Sequence, residues 1–327
     1  LWFGLVCEDL ATALEADTPH ASRLTPHDFY STPVGATGRT RTDILRSIAV
    51  HYLRGTPNGI RMDPASGLIW SPSHFTWMDT NFPACTPREG YPVEIQALWI
   101  RLLQQLDHLG VAPEGESWRD LAKRTERSLN DLFWLDDEGY SADVLLAKAG
   151  QPAASAQPDH ALRSNYLFVV SLDLGGGERA QRCVAAALRW LVVPGALRSL
   201  APRPVDSPLP IHAPDGRLLN NPVAPYFGRY EGEEDTRRKP AYHNGTAWVW
   251  TFPTFCEALA HAWEFSSEAV AAARAYLGSV DRLLAEGCLG HLPEIVDGDT
   301  PHTQRGCDAQ AWSVTEALRV WRLLTKP

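Results

Sequence analysis

A chain of 327 residues that is 44% apolar and 21% charged has a globular composition, which excludes wholesale disorder. Its net charge of −9 and pI near 5.7 argue against nucleic acid and anionic membrane as partners, because both recruit basic patches. No apolar run is long enough to predict a transmembrane helix.

The chain starts at Leu1, and its apolar opening is broken by Glu8 and Asp9, so no signal peptide is read there; a trimmed or fragmentary chain is expected. A helix is predicted at about 41–54. From Ile95, apolar residues recur at Leu98, Trp99, Leu102, Leu103, Leu106 and Leu109, a one-faced helix with Pro92 suited to its first turn. Ser117 and Asp120 have capping-box spacing for a second helix that carries Trp118, Leu121, Ala122, Leu129, Leu132 and Phe133 on one side. Period-2 alternation is nearly absent, with a short hairpin strand suggested only at 140–147. Further helices are predicted at about 161–173, 178–193, 246–263, 267–286 and 309–324, with Gly287 placed as a C-terminal stop. The expectation is an all-α protein of one domain over residues 1–327.

Its connections 70–91, 147–164, 201–245 and 287–308 are too long for plain turns. They carry Trp77, Phe82, Tyr91, Tyr226, Phe227 and Tyr242, which argues for ordered loops. If successive helices alternate in direction, every second loop emerges at one end, and functional residues converge there.

The chemistry that residue types permit is narrow. The six cysteines (Cys7, Cys85, Cys183, Cys256, Cys288 and Cys307) form no Cys-x-x-Cys pair, and reduced thiols in a cytoplasmic protein are expected. Gly175-Gly176-Gly177 lacks the Lys-Ser/Thr of a phosphate loop and reads as a turn. The histidines lack zinc spacing, and Asp297-Gly298-Asp299 reads as a polar turn rather than a calcium loop, so neither metal nor cofactor is expected. No Gly-x-Ser-x-Gly elbow is present. What remains is carboxylates among aromatics. Asp79 lies between Phe75, Trp77 and Phe82, neighbours whose desolvation would favour a protonated acid, and Glu294 follows the stiff Pro293. Twelve Trp residues supply flat faces on which sugars can stack. A proton-donating carboxyl opposite a water-activating one is the chemistry of glycoside hydrolysis; two loop acids satisfied by hydrogen bonds are the alternative.

A set of motifs extends this reading. Thr-Trp-Met-Asp (76–79), Thr-Pro-Arg-Glu-Gly (86–90) and Pro-Val-Glu-Ile (92–95) lie within Gly67 to Ile100. They are followed by Leu-Arg-Ser-Leu-Ala-Pro (197–202), Tyr-His-Asn-Gly-Thr-Ala-Trp (242–248) and Pro-Glu-Ile (293–295) with Asp-Gly-Asp (297–299). The run from Arg305 to Ser313 completes them. In this order, over roughly residues 60–325, they resemble the C-terminal amylo-α-1,6-glucosidase domain of glycogen debranching enzymes. The resemblance implies a glucoamylase-type (α/α)6 toroid with its pocket at one end of the inner ring. It places the general acid on Asp79 and the general base on Glu294, in an inverting mechanism. Trp77, Trp248 and Trp312 would line a glucose pocket, with Arg88, Glu94, Tyr242, His243 and Gln310 meeting sugar hydroxyls; Glu94 also suits the N-terminal dipole of its helix. Arg163 and Asn165 fall where a polar sugar-site segment is loosely matched. The partner implied is an α-glucan, glycogen or a branched maltodextrin, hydrolysed at α-1,6 branch points. Another small α-glucoside, or carbohydrate binding without catalysis, are the competing readings. An Arg-Asp-Thr segment expected upstream of the first motif is absent from residues 1–75, and Trp118-Arg119-Asp120 lies downstream and is no substitute. The expectation is therefore a toroid that lacks its first helices.

Overall fold

The computed structural model describes residues 1–17, 25–80 and 86–325. Phe82 and Cys85, singled out above, lie outside the described residues.

Helices dominate. In chain order they are α1 (Trp2–Asp17), α2 (Pro26–Ser31), α3 (Arg41–Arg54), α4 (Val93–His108), α5 (Trp118–Leu132), α6 (Leu167–Ser171), α7 (Gly177–Trp190), α8 (Lys239–Tyr242), α9 (Phe252–Ala262), α10 (Ser267–Leu277), α11 (Asp281–Leu284) and α12 (Ala311–Thr325). Their starts follow local chemistry. Thr40 and Asp43 form a reciprocal capping box for α3, and the Ser117 hydroxyl accepts from Asp120 N–H at the start of α5.

Sidedness sorts the helices into layers. Helices α4, α6 and α9 are buried on nearly every face, the signature of an inner position, whereas α5 and α7 bury one stripe and present charge on the other. Accordingly α1, α4, α6, α9 and α12 each pack on the next, and α3, α5, α7 and α10 pack outside them. This alternation of inner and outer helices is an all-α toroid of the (α/α)6 type. Arg319 of α12 pairs with the buried Glu257 of α9 at 2.7 Å and lies 3.9 Å from Asp9 of α1. No helix among the described residues is long and apolar enough to cross a membrane.

Several boundaries differ from expectation. Helix α1 was not predicted, because Glu8 and Asp9 interrupt its apolar run; the structure pairs Glu8 with Arg101 and brings Asp9 near Arg319. The segment expected as helix from 161 is extended through Arg163 and forms a 3₁₀ turn at Ser164–Tyr166 before α6. Residues 247–248, expected to be helical, are a strand, and the helix starts at Phe252, with Pro253 in its first turn. The helix expected over 267–286 breaks at Gly278.

The strands are short and lie in the connections. The largest sheet is antiparallel, in the order Val192–Val193, Ala196–Arg198, Ala247–Trp248, Ile295–Val296 and Gln304–Arg305. Strands of two or three residues are too short to show an alternation, which is why periodicity missed them. A second sheet joins Gly90–Pro92 to Val144–Leu146. Gly90 has φ +136°, and a Cβ there would overlap the carbonyl oxygen of Leu145. The conformation and the close approach both require glycine.

Gly90→Ala is therefore expected to destabilise the fold by more than about 1 kcal/mol, because the native backbone excludes the new side chain. Thermal unfolding should show a Tm lowered by at least roughly 1–2 °C.

Candidate active site

Loops 70–91, 201–245 and 287–308 meet through side chains, as the alternating-helix argument anticipates. Thr80 reaches His243, Tyr242 reaches Glu294, and Tyr226 reaches Asp299.

The sheet builds the Glu294 side. Glu294 directly precedes the strand Ile295–Val296, and its own N–H donates to the Cys307 carbonyl at 2.8 Å. Its carboxylate then receives three donors. The Tyr242 hydroxyl and Gln310 Nε2 donate to Oε1 at 2.7 and 3.3 Å, and the Cys307 N–H donates to Oε2 at 3.1 Å. Gly306 (φ +70°) makes room, since a Cβ there would collide with Oε2. Burial pushes the Tyr242 hydroxyl far above the ordinary tyrosine range, and its hydrogen bond to Glu294 acts in the same direction. Asp79 adds a smaller push, so Tyr242 lies within electrostatic reach of both acids and stays a hydrogen-bond donor.

The Asp79 side is built from buried charge. Arg88 is 4% exposed and Glu94 1%. The guanidinium donates to both Glu94 oxygens at 2.6 Å, to Asp143 Oδ2 at 2.6 Å and to Thr76 Oγ1 at 3.0 Å. Contacts to Oδ1 and the carbonyl of Asp143 complete its five N–H groups. Asp143, 2% exposed, also accepts from Asn165 Nδ2 at 2.8 Å and lies 3.7 Å from Arg163 Nε. Burial is the largest single effect on Arg88 and lowers its pKa, but the two neighbouring carboxylates together outweigh it, raise the pKa and hold the group charged.

These contacts correct part of the sequence reading. Arg88 and Glu94, expected to meet sugar hydroxyls, spend their polar atoms on each other and on Asp143, so they position the site from beneath. The desolvated setting expected for Asp79 is not found, because Asp79 and Phe75 are both exposed. His243 has no exposure at all; it stacks on Trp248 with ring centroids 5.3 Å apart and planes 7° from parallel, and its Nε2 shares a 3.3 Å hydrogen bond with Thr80 Oγ1. Burial and the nearby Arg163 and Arg88 charges hold His243 well below its usual pKa, as a neutral ring. Trp248 is 2% exposed and donates to the Tyr242 carbonyl, so it is wall rather than platform.

Four expected residues keep a free side: Trp77, Tyr242, Gln310 and Trp312 are half-buried. Trp77 donates to Asn165 Oδ1 at 2.8 Å and meets His243, Trp248 and Trp250 edge-on at 5.0–5.5 Å. Trp312 stacks on Trp250 at 5.0 Å. Sequence reasoning missed Trp250 and Asp143. The signal for Asp143 was an acid inside the otherwise apolar run Ala142-Asp143-Val144-Leu145-Leu146.

The polar turn read at 297–299 fastens the loop before α8: Asp297 accepts from Tyr230 N–H and Arg305, and Asp299 from the Tyr226 hydroxyl. Clefts of about 370 Å³ beside Val193 and Phe252, and about 230 Å³ beside Trp134 and Arg179, contain no carboxylate. The opposed-acid chemistry therefore has no counterpart there.

The family model for amylo-alpha-1,6-glucosidase matches residues 17–208 and 213–319. No curated protein matches the sequence. Among solved structures, a GH63 mannosylglycerate hydrolase from Thermus thermophilus is 18% identical, with a TM-score of 0.44 over 71% of this chain and 46% of that one. Neutral trehalase Nth1 from Saccharomyces cerevisiae is 13% identical, with a TM-score of 0.43 over 70% and 36%. A sialidase structure is 10% identical, with a TM-score of 0.52 over 83% and 22%, a likeness of fold. The chain thus spans less than half the length of each of these structures.

Two outcomes follow from the buried charges. Arg88→Met leaves Glu94 buried without a counter-charge and Asp143 with only the more distant Arg163, and is expected to cost about 3–5 kcal/mol, read from urea unfolding. His243 binds a proton in the unfolded chain near its ordinary value of 6.5 but not in the folded one. Its contribution is complete above that pH and lost as pH falls below it, by at most about 1.4 kcal/mol per pH unit. Urea unfolding at pH 7.5 and 5.5 should show this loss, and His243→Phe should reduce the difference between the two.

Proposed function

The chain belongs to the amylo-alpha-1,6-glucosidase family, a family of glycoside hydrolases, and on that premise we propose that it releases glucose from α-1,6 branch points of glycogen or limit maltodextrins. In this reading Asp79 donates a proton to the glycosidic oxygen while Glu294 takes one from the attacking water, in a single inverting step. The observation that carries the reading is the seat of Glu294. Three neutral donors orient its carboxylate, and one of them, Tyr242, is followed in the chain by His243, whose ring holds Thr80 beside Asp79. An exposed Asp79 suits an acid that must reach a bulky leaving group arriving from solvent. Trp77 and Trp312 would offer their free sides to the glucose ring, with Gln310 meeting a hydroxyl. A cytoplasmic setting, read from the scattered cysteines, is part of the same proposal.

Glu294→Gln retains shape and hydrogen bonding but cannot accept the proton, so turnover should fall by about 10²–10⁴-fold. Early NMR of the wild-type reaction should show β-glucose before mutarotation. First appearance of α-glucose would rule out inversion. Glucose release from α-1,4- but not α-1,6-linked oligosaccharides would move the assignment to another small α-glucoside.

A further inference from the structure

The segment around the proposed acid is held at every position but one. Thr76 is gripped by Arg88 Nη1 at 3.0 Å, and Trp77 donates its indole N–H to Asn165 at 2.8 Å. Met78 is fully buried, with its sulfur accepting from Asn165 Nδ2 at 3.5 Å. Thr80 is tied to the His243 ring. Asp79, in the middle, is exposed.

The supports share one origin. Arg88 and Asn165 both donate to the Asp143 carboxylate, and the second cation beside it, Arg163, donates to the His243 carbonyl and to Asn244 Oδ1. Asp143 therefore orders one arm to Thr76, one to Trp77 and Met78, and one to the backbone that carries the Thr80 partner. No partner of Asp143 touches Glu294, whose donors are Tyr242, Gln310 and Cys307. We propose that Asp143 is a positioning residue for Asp79, aiming the proton donor through Arg88, Asn165 and Arg163 without a direct contact to Glu294. This rests on the hydrolase reading of Asp79 and Glu294.

The separate hydrogen-bond partners of the two sides dictate the test. Departure of an alkoxide needs the acid, whereas departure of fluoride needs little protonation. Asp143→Asn in the full chain is expected to lower kcat about 10²-fold on an α-1,6-linked glucose oligosaccharide, within the range of a positioned acid. The rate on α-glucosyl fluoride and KM should stay within a few-fold of wild type. Asn165→Ala and Thr76→Val, which cut single arms and leave the ion pairs intact, should show the same selectivity with smaller losses. They decide the matter if Asp143→Asn does not fold. Equal losses on both substrates would overturn the proposal, because a merely structural residue weakens both carboxylates alike. Hydrogen exchange supplies a readout independent of turnover: amides at 76–80 should lose protection in the variants while those at 294–307 keep it, and matched protection in both segments also overturns it. A wild-type chain that cleaves neither substrate, with variants that still show the selective loss of protection, would sink the hydrolase reading while the positioning link stands.

Discussion

Arg88 between Glu94 and Asp143 is the interaction on which the rest of the site depends. A guanidinium taken out of water is tolerated only when its charge and its N–H groups are answered, and here all five are answered by two carboxylates, a carbonyl and a hydroxyl. The arrangement joins elements that share no local sequence. Glu94 belongs to the first turn of α4, Asp143 precedes the strand Val144–Leu146, and Thr76 belongs to the acid-bearing loop. A buried pair of this kind is weak evidence for extra stability but strong evidence for a unique arrangement, because a misplaced alternative leaves a charge unanswered.

The aromatic richness of the chain has two outcomes. Flat faces suggest sugar stacking, yet most ring surface near the site is consumed by other rings. Trp248 is covered by His243, Trp250 by Trp312, and Trp77 has three aromatic neighbours on its faces and edges. Edge-to-face contacts fix ring orientation as well as burying area. The cluster is thus a rigid floor, and only its half-buried members retain a side for a ligand.

Helical periodicity and capping residues made α3, α4, α5 and α12 readable from the sequence, because those signals are local. The motif segments stood out in the sequence as candidates, and Tyr242 and Gln310 do gather on Glu294. What was not readable was which polar residues face inward. Arg88 and Glu94 look like ligands for hydroxyls until Asp143, remote in sequence, closes the shell around them. His243 looks like a solvent-facing donor until Trp248 covers it. Burial of a charge depends on partners far along the chain, and no spacing rule records them. The short strands escaped for a different reason: their pairing is nonlocal and their length carries no period.

Tyr242 and His243 are consecutive, yet their side chains serve opposite sides of the site: one holds the carboxylate of Glu294, the other holds Thr80 beside Asp79. A trans peptide spaces consecutive Cα atoms by about 3.8 Å and does not stretch. A single peptide unit therefore acts as a gauge block between the two supports. Whatever the course of the long loop leading into α8, the residues that hold Glu294 and Thr80 stay one Cα step apart, because that step is covalent.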